Sequence, residues 1–191
     1  MTDLLLPTRT GLPDAVAYLR ESHPKPTWRD HGNYGQLADF WLQMHDGLRQ
    51  EGRQLHEATG AFRENQADAA GFQRFFVPRF NYFLQHLNGH HQVEDQAYFP
   101  KFRALDARMA AGFDILESDH RLIHESLLAS VEAARGMLTG LSQGGNAQRR
   151  AVDDYGVLSE RLLTLMLRHL DDEEDLVIPA MLEHGERSIG G

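Results

Sequence analysis

The sequence predicts an all-α protein, folded as an antiparallel up-down-up-down four-helix bundle with a short N-terminal arm. Two observations carry this prediction. From Tyr34 onward, apolar residues recur at the three- and four-residue spacing of an amphipathic helix, while sustained period-two alternation is nearly absent. The helical pattern also divides into four long segments with short connections, which is the arrangement that antiparallel neighbouring helices need.

Glycine and proline residues set the predicted limits of the first two helices. The first spans about residues 34–58 and ends near Gly60, since glycine favours helix ends. The second spans either 69–105 or 78–105, because a proline such as residue 78 can open a helix. Pro100 should kink or end this second helix, since proline lacks the backbone N–H that a helix interior uses.

The third and fourth predicted helices span about residues 107–138 and 147–183, on either side of a glycine-rich loop. Each of them, like the first helix, carries an apolar face. Such faces are typical of helices that pack on a common core. In these three helices the positions expected in that core are Leu37, Trp41, Met44, Leu48, Leu55, Phe113, Leu116, Ile123, Leu127, Val131, Leu138, Leu162, Met166, Leu170, Val177 and Met181.

We expect one folded domain with two flanking segments. Residues 34–185 form the bundle, residues 1–33 form the arm, and residues 186–191 form a C-terminal tail. The arm contains four of the seven prolines, so it holds at most a short helix. A chain of 191 residues suits a single domain with a sizeable core.

Composition excludes several classes of protein and partner. Without cysteines the chain has no disulfides, thiolate zinc sites or cysteine-bound iron–sulfur clusters. The sequence lacks a secretory signal and any apolar run near the roughly 18–20 residues of a membrane span, so we expect a cytoplasmic protein without a membrane partner. The net charge of −9 argues against a nucleic-acid partner. Oligomeric state carries no signal in the sequence.

Histidine is the unusual residue of this chain, with eleven copies, and several lie where the helical period expects a core residue. Pairs of histidine or glutamate four residues apart share one face of a helix. Each predicted helix turns at least one imidazole inward, and two helices add a carboxylate. The seven residues concerned are His45, His90, Glu94, His120, His124, His169 and Glu173.

Burying these seven side chains without partners would be too costly for the fold. An unpaired buried imidazole costs about 1–3 kcal/mol and an unpaired carboxylate several kcal/mol. The total would exceed the roughly 5–15 kcal/mol that stabilises a whole domain. The apolar faces contain no lysine or arginine that could compensate. Metal ions would do so, because imidazole nitrogens and carboxylate oxygens bind iron, manganese or zinc.

Two of these histidines begin the same sequence pattern. His90 and His169 each open a string of the form His-x3-Glu-[Asp/Glu]-x4-Pro, and the two strings start 79 residues apart. Matching spacing on two helices indicates an internal two-fold repeat. The repeat would bring ligands from two helical hairpins to a shared centre.

The ordered pattern resembles the hemerythrin-like, or HHE cation-binding, family. That family has a lone histidine on the first helix, His-x3-Glu on the second, His-x3-His on the third and His-x3-Glu, or a slightly longer His-to-Asp spacing, on the fourth. The resemblance covers residues 37–184. It implies two iron ions bridged by both carboxylates, and the residues that match the family's ligands are His45, His90, Glu94, His120, His124, His169 and Glu173.

A count of coordination positions agrees with the resemblance. Two octahedral irons offer about twelve positions. Five imidazoles fill five, two bridging glutamates fill four, and one bridging oxo or hydroxo group fills two. One position stays open for O2, NO or a peroxide. Manganese or zinc could replace iron, because the same ligand types hold all three metals.

Other metal sites fit the sequence less well. Ferritin-like di-iron bundles use Glu-x-x-His on two helices, and this chain has one such string, ending at His120. A His-Glu-x-x-His zinc site is excluded because Arg121 follows His120. A haem site would leave both glutamates unexplained.

The sequence leaves the roles of a few residues near the predicted ligands undecided. His91 could replace His90 through a register shift, and His86 could lie just outside the ligand shell. Tyr98 could donate a hydrogen bond to a carboxylate or simply pack in the core. The acidic residues that flank Glu173, within the run 171–175, are expected on the solvated side of the fourth helix.

Two functions follow from the resemblance and the open position. In the first, the protein binds or senses O2 or a related small ligand. In the second, it is a di-iron enzyme or iron-handling protein that consumes peroxide or NO, or repairs iron centres. No catalytic base or nucleophile beyond the metal ligands can be named, so enzymatic activity stays undecided from the sequence.

Overall fold

A computed structural model describes residues 4–64 and 66–190, so the first three residues of the predicted arm and the last residue of the predicted tail lie outside it. The described residues contain helices and no strand, which confirms the all-α prediction. No helix in this part of the chain is long and apolar enough to cross a membrane. The five α-helices are α1 (Gln36–Arg63), α2 (Ala69–Val93), α3 (Phe99–Leu105), α4 (Ala110–Leu141) and α5 (Gly145–His184).

Helix α1 is capped from a distant part of the chain and runs past its predicted end. The Glu186 carboxylate accepts hydrogen bonds from the backbone N–H groups of Gly35, Leu37 and Ala38, at 3.0, 3.1 and 2.8 Å. These are amides that the first turn of a helix leaves unpaired. Gly60 does not stop the helix, although an interior glycine costs about 1 kcal/mol relative to alanine.

Helix α2 begins at the earlier of the two predicted positions. Asp68 precedes it, and its carboxylate accepts a hydrogen bond from the Gly71 backbone N–H at 2.8 Å, as an N-cap residue does. Pro78 therefore lies inside the helix instead of opening it. The helix tolerates the one hydrogen bond that this proline cannot donate.

The segment before Pro100 departs from regular α-helical geometry. Glu94–Tyr98 forms a π-helical turn, in which the backbone N–H of Phe99 bonds to the carbonyl of Glu94 five residues earlier. Pro100 then lies in the first turn of α3. The predicted second helix is thus α2, this π turn and α3 in succession. In the matching repeat, Pro179 lies inside the uninterrupted α5.

The remaining boundaries differ from prediction by a few residues. A 3-10 turn at Ala107–Met109 precedes α4, and α4 and α5 are separated by three residues. Gly144 and Gly145 have φ of 69° and 60°, a left-handed conformation that suits glycine at this tight connection. Two further 3-10 turns lie at Lys25–Asp30 and Glu186–Ser188.

The chain forms two compact units. The first comprises the described residues of Met1–Asp46, His90–Arg121 and Leu167–Gly191. Its core includes Trp41, Phe102 and Phe113, and the predicted arm contributes buried side chains such as Leu12 and Trp28. The indole N–H of Trp28 donates to the His23 carbonyl at 2.7 Å, which satisfies its buried polar atom.

The second unit comprises Gly47–Gly89 and Leu122–Met166. Its core includes a column of aromatic rings. Phe62 stacks on Phe72, Phe72 on Phe76 and Phe76 on Phe80, with ring centroids 4.6, 5.2 and 5.1 Å apart. Tyr155 meets the Phe76 ring edge-on at 5.2 Å. Such contacts add to the stabilisation that burial of the rings provides.

Candidate metal centre

A cluster of buried imidazoles and carboxylates lies within the first unit. Helix α1 provides one member, the end of α2 two, the π turn one, α4 one and α5 two. They form three overlapping groups, and within each group the ligand atoms lie within 4.8 Å of one another. The members are His45, His90, His91, Glu94, His120, His169 and Glu173.

The two glutamates each reach two histidines. Oε1 of Glu94 lies 3.0 Å from Nε2 of His90, and its Oε2 lies 3.6 Å from Nε2 of His120. Oε1 of Glu173 lies 3.3 Å from Nε2 of His45, and its Oε2 lies 3.2 Å from Nε2 of His169. Each carboxylate therefore spans from the pair His45 and His90 to the set that contains His120 and His169.

Three of the imidazoles are oriented by a second carboxylate. Nδ1 of His45 donates to Glu174 at 3.1 Å, Nδ1 of His120 to Asp95 at 2.8 Å, and Nδ1 of His169 to Asp119 at 3.5 Å. An ionised carboxylate can only accept, so it favours the tautomer with the proton on Nδ1. The lone pair is then on Nε2, which faces the cluster.

Several atoms that face the centre of the cluster lack hydrogen-bond partners within the described part of the chain. They are buried, and they are Nε2 of His45, His90 and His91, both carboxylate oxygens of Glu94, and Oε2 of Glu173. Each such atom costs about 1–3 kcal/mol if it stays unsatisfied. Nε2 of His120 and Nε2 of His169 also face each other at 3.0 Å. A metal cation would satisfy all of these lone pairs, so the donor set fits a metal.

The charges of the cluster are poorly balanced by protein groups alone. Burial, together with the neighbouring Glu173 charge, raises the pKa of Glu94 well above its usual value. Burial lowers the pKa of His91 well below its usual value, and repulsion from His120 and His169, whenever these are protonated, lowers it further. Burial alone would also lower the pKa of His169, but hydrogen bonds to Asp119 and Glu173 raise it to about 9. A cation between the carboxylates would balance their charge.

Trp41 completes the contacts of one glutamate. Its indole N–H donates to Oε1 of Glu173 at 2.6 Å. The sequence predicted Trp41 only as a core residue, although a buried indole N–H usually finds an acceptor. Tyr98, the donor considered from the sequence, instead packs edge-on against the Trp41 ring at 5.0 Å.

The family model of the hemerythrin HHE cation binding domain matches residues 36–186, which is most of the chain. The chain belongs to this family. Searches of curated proteins and of solved structures found no match. The family assignment and the buried donor set agree on cation binding by this HHE domain, and the predicted family resemblance is confirmed.

Six of the seven predicted ligand residues come together in this HHE domain, and His124 is the exception. His124 is exposed and belongs to none of the three groups. His91 stands in the cluster instead, with its ring stacked on His120 at 4.0 Å and an interplanar angle of 10°. The sequence considered His91 only as a substitute for His90. His90 and His91 lie in the last turn of α2, shortly before the π turn, and they belong to different groups of the cluster.

The expectation for the acidic run was wrong at two positions. Asp172 and Glu174 are each 1% exposed instead of lying on a solvated side of α5. Asp172 accepts from the Arg9 Nε–H at 2.7 Å and from the Leu12 backbone N–H at 3.1 Å. The arm covers this side of the helix, which no sequence periodicity could reveal. His86 lies in the second unit, where its Nδ1 is 2.9 Å from Glu51.

Proposed function

We propose that this HHE domain is a non-haem di-iron protein that binds or senses O2, or a related small ligand such as NO or a peroxide, at an open iron position. The observation that carries the proposal is the position of the two glutamates. Each has one oxygen near His45 or His90 and its other oxygen near His120 or His169. This is the arrangement that two bridging carboxylates need.

The proposed ligands divide into two sets. His45 and His90 would hold one iron, and His91, His120 and His169 would hold the other. Glu94 and Glu173 would bridge the two, with one oxo or hydroxo group as a further bridge. The proposed ligand set contains His91 where the sequence predicted His124, so it still has five imidazoles. About twelve octahedral positions therefore still leave one open.

The finer predictions about architecture and context are part of this proposal. We propose that the long helices form the antiparallel up-down-up-down bundle over residues 34–185, with residues 1–33 as the arm and 186–191 as the tail. The expected partner is a small diatomic molecule or a peroxide, and neither nucleic acid nor a membrane. Iron is proposed from the family, and the ligand types would also accept manganese or zinc. The cytoplasmic location stays a prediction from the sequence.

Exposure of the reduced, iron-loaded protein to air tests the ligand-binding function. A binding or sensing protein should form an oxy spectrum that persists and survives repeated cycles of removing and restoring O2. Immediate conversion to the oxidised spectrum, with rapid consumption of added hydrogen peroxide, would instead support the enzymatic or iron-handling alternative.

A matched pair of variants tests the proposed ligand set. His91→Ala should lower the bound iron from two ions per chain towards one, because it removes one of three imidazoles from one metal position. His124→Ala is the control, since its side chain is exposed, and it should keep two ions. Metal analysis of the purified proteins measures both. Loss of iron from the His124 variant alone would reverse the assignment, and no iron in the parent protein would remove the di-iron proposal.

A further inference from the structure

We propose that Arg9, on the N-terminal arm, is a positioning residue of the metal centre, acting on His169 through the carboxylate of Asp119. The inference rests on the proposed function, since it concerns how the imidazole is held for a metal. Arg9 lies outside residues 36–186, the range that the family model matches. The arm would therefore be part of this protein's metal centre in addition to the family domain.

The Arg9 side chain is deeply buried and is held by two carboxylates and one backbone carbonyl. It is 1% exposed. Nη1 donates to Oδ1 of Asp119 at 2.9 Å, and Nη2 donates to Oδ2 of the same carboxylate. Nε donates to Asp172 at 2.7 Å, and Nη1 also bonds to the Leu4 carbonyl at 3.0 Å. A planar guanidinium can hold one carboxylate with two bonds while contacting a second, which a lysine ammonium cannot reproduce.

The carboxylate that Arg9 holds is the one that orients a proposed ligand. Oδ2 of Asp119 accepts from Nη2 of Arg9 and lies 3.5 Å from Nδ1 of His169. Asp119 therefore stands between the guanidinium and the imidazole. The distance to His169 is at the long limit of a hydrogen bond. A small rotation of the carboxylate would break it, so the two bonds from Arg9 decide whether Asp119 keeps the imidazole in place.

A second arm residue repeats this arrangement. Nζ of Lys25 donates to Oε2 of Glu174 at 2.6 Å, and Oε1 of Glu174 accepts from Nδ1 of His45 at 3.1 Å. The Lys25 side chain is 60% exposed, so solvent screens its charge. Its effect on His45 should be smaller than the effect of Arg9 on His169. Two of the three imidazole–carboxylate pairs are thus contacted by a cation from the arm.

Three variants of the full chain test the role of Arg9, with Co²⁺ alone as the probe metal. Arg9→Gln removes the charge and the paired donors, and Arg9→Lys restores the charge without the planar geometry. Arg20→Gln is the matched control. Arg20 is another arm arginine with two carboxylate partners, Asp14 and Asp175, but within the described residues neither carboxylate bonds to an imidazole of the proposed ligand set.

The measurements are Co²⁺ affinity by chelator competition, the visible absorption spectrum of the Co²⁺-loaded protein, and thermal unfolding of the metal-free protein. Loss of an outer partner of a metal ligand typically lowers metal affinity about 10–100-fold. Because Arg9 acts through such a partner, we expect a loss at the lower end of that range, about 10-fold, and an altered spectrum for Arg9→Gln, with partial recovery of both in Arg9→Lys. Arg20→Gln should stay within about twofold of the parent protein.

The outcomes separate this inference from the proposed function. A parent protein that binds no metal would overturn the proposed function. If the parent binds Co²⁺ and a folded Arg9→Gln variant keeps its affinity and spectrum, only the role of Arg9 is overturned. If Arg9→Gln does not fold, Arg9→Lys becomes the test of the positioning role. Parent-like Co²⁺ affinity and spectrum in Arg9→Lys would overturn the claim that the two parallel bonds from Arg9 to Asp119 position His169.

Discussion

The two compact units of this protein bury very different side chains. Of the thirteen buried polar or charged residues within residues 4–64 and 66–190, eleven belong to the first unit. The second unit has Thr59 and Ser130, whose hydroxyls bond to backbone carbonyls of their own helices at 2.8 and 2.9 Å. The second unit thus has a conventional apolar core, while the first unit adds to its apolar core a buried polar cluster that needs charge compensation.

The comparison shows how one set of helices can serve two purposes. Each of the helices α1, α2, α4 and α5 contributes residues to both units. In the second unit the free energy of folding comes from burial of apolar surface, both aromatic and aliphatic. In the first unit, part of the free energy gained by burying apolar surface offsets the cost of burying the imidazoles and carboxylates. The second unit should therefore tolerate metal removal, and the first should not.

The largest expected effect is the loss of a central aromatic ring from the second unit. Phe76→Ala should lower the free energy of unfolding by about 3–5 kcal/mol, because the fully buried ring contacts Phe72, Phe80 and Tyr155. Denaturant unfolding measures this change. Tyr82→Ala, on the same helix but with a side chain that is 59% exposed, is the control and should change stability little. Fewer bound metal ions in a folded Phe76 variant would contradict the separation of roles.

Metal removal should have the next largest effect, and it should be confined to the first unit. At a free metal concentration 100-fold above the dissociation constant, binding stabilises the folded state by about 2.7 kcal/mol. Chelation should remove this stabilisation. Hydrogen exchange should then speed up around His120 and His169, while amides around Phe76 keep their protection. Equal acceleration in both units would show that they respond as a single body.

The smallest expected effect concerns an ion pair at the surface of the second unit. Nε of Arg63 lies 2.9 Å from Asp153, and the two side chains are 54% and 56% exposed. Arg63→Gln should cost about 0.2–1 kcal/mol, and the cost should shrink as salt is added, because solvent and ions screen exposed charges. A larger cost that is insensitive to salt would indicate a structural role for this pair. Denaturant unfolding at two salt concentrations distinguishes the results.

The helices and most of the candidate site could be predicted because both depend on local spacing. Residues four apart lie on one helix face, so the pairs His90 with Glu94 and His169 with Glu173 could be recognised without knowing the fold. His91 and His124 could not be ranked in this way. Which of them faces the cluster depends on the rotation of each helix and on the π turn at Glu94–Tyr98, and neither is encoded in the apolar period.

The arm shows the other limit of sequence-based prediction. Nothing around Arg9 in the sequence marks it as buried, and its partner Asp119 lies 110 residues later in the chain. The burial of Asp172 and Glu174 had the same cause, since residues of the arm contact both. A run of acidic residues is usually solvated, and only contact with a basic segment changes that expectation.

By itself, the sequence determined that the protein is helical and that imidazoles and carboxylates recur on helix faces where apolar side chains are expected. Helix period and ligand spacing are local properties, so they survive without knowledge of the fold. The tertiary structure decided that His91 joins the cluster, that His124 stays exposed, and that Arg9 reaches Asp119. These depend on helix rotation and on contacts between residues far apart in the chain, which no local spacing records.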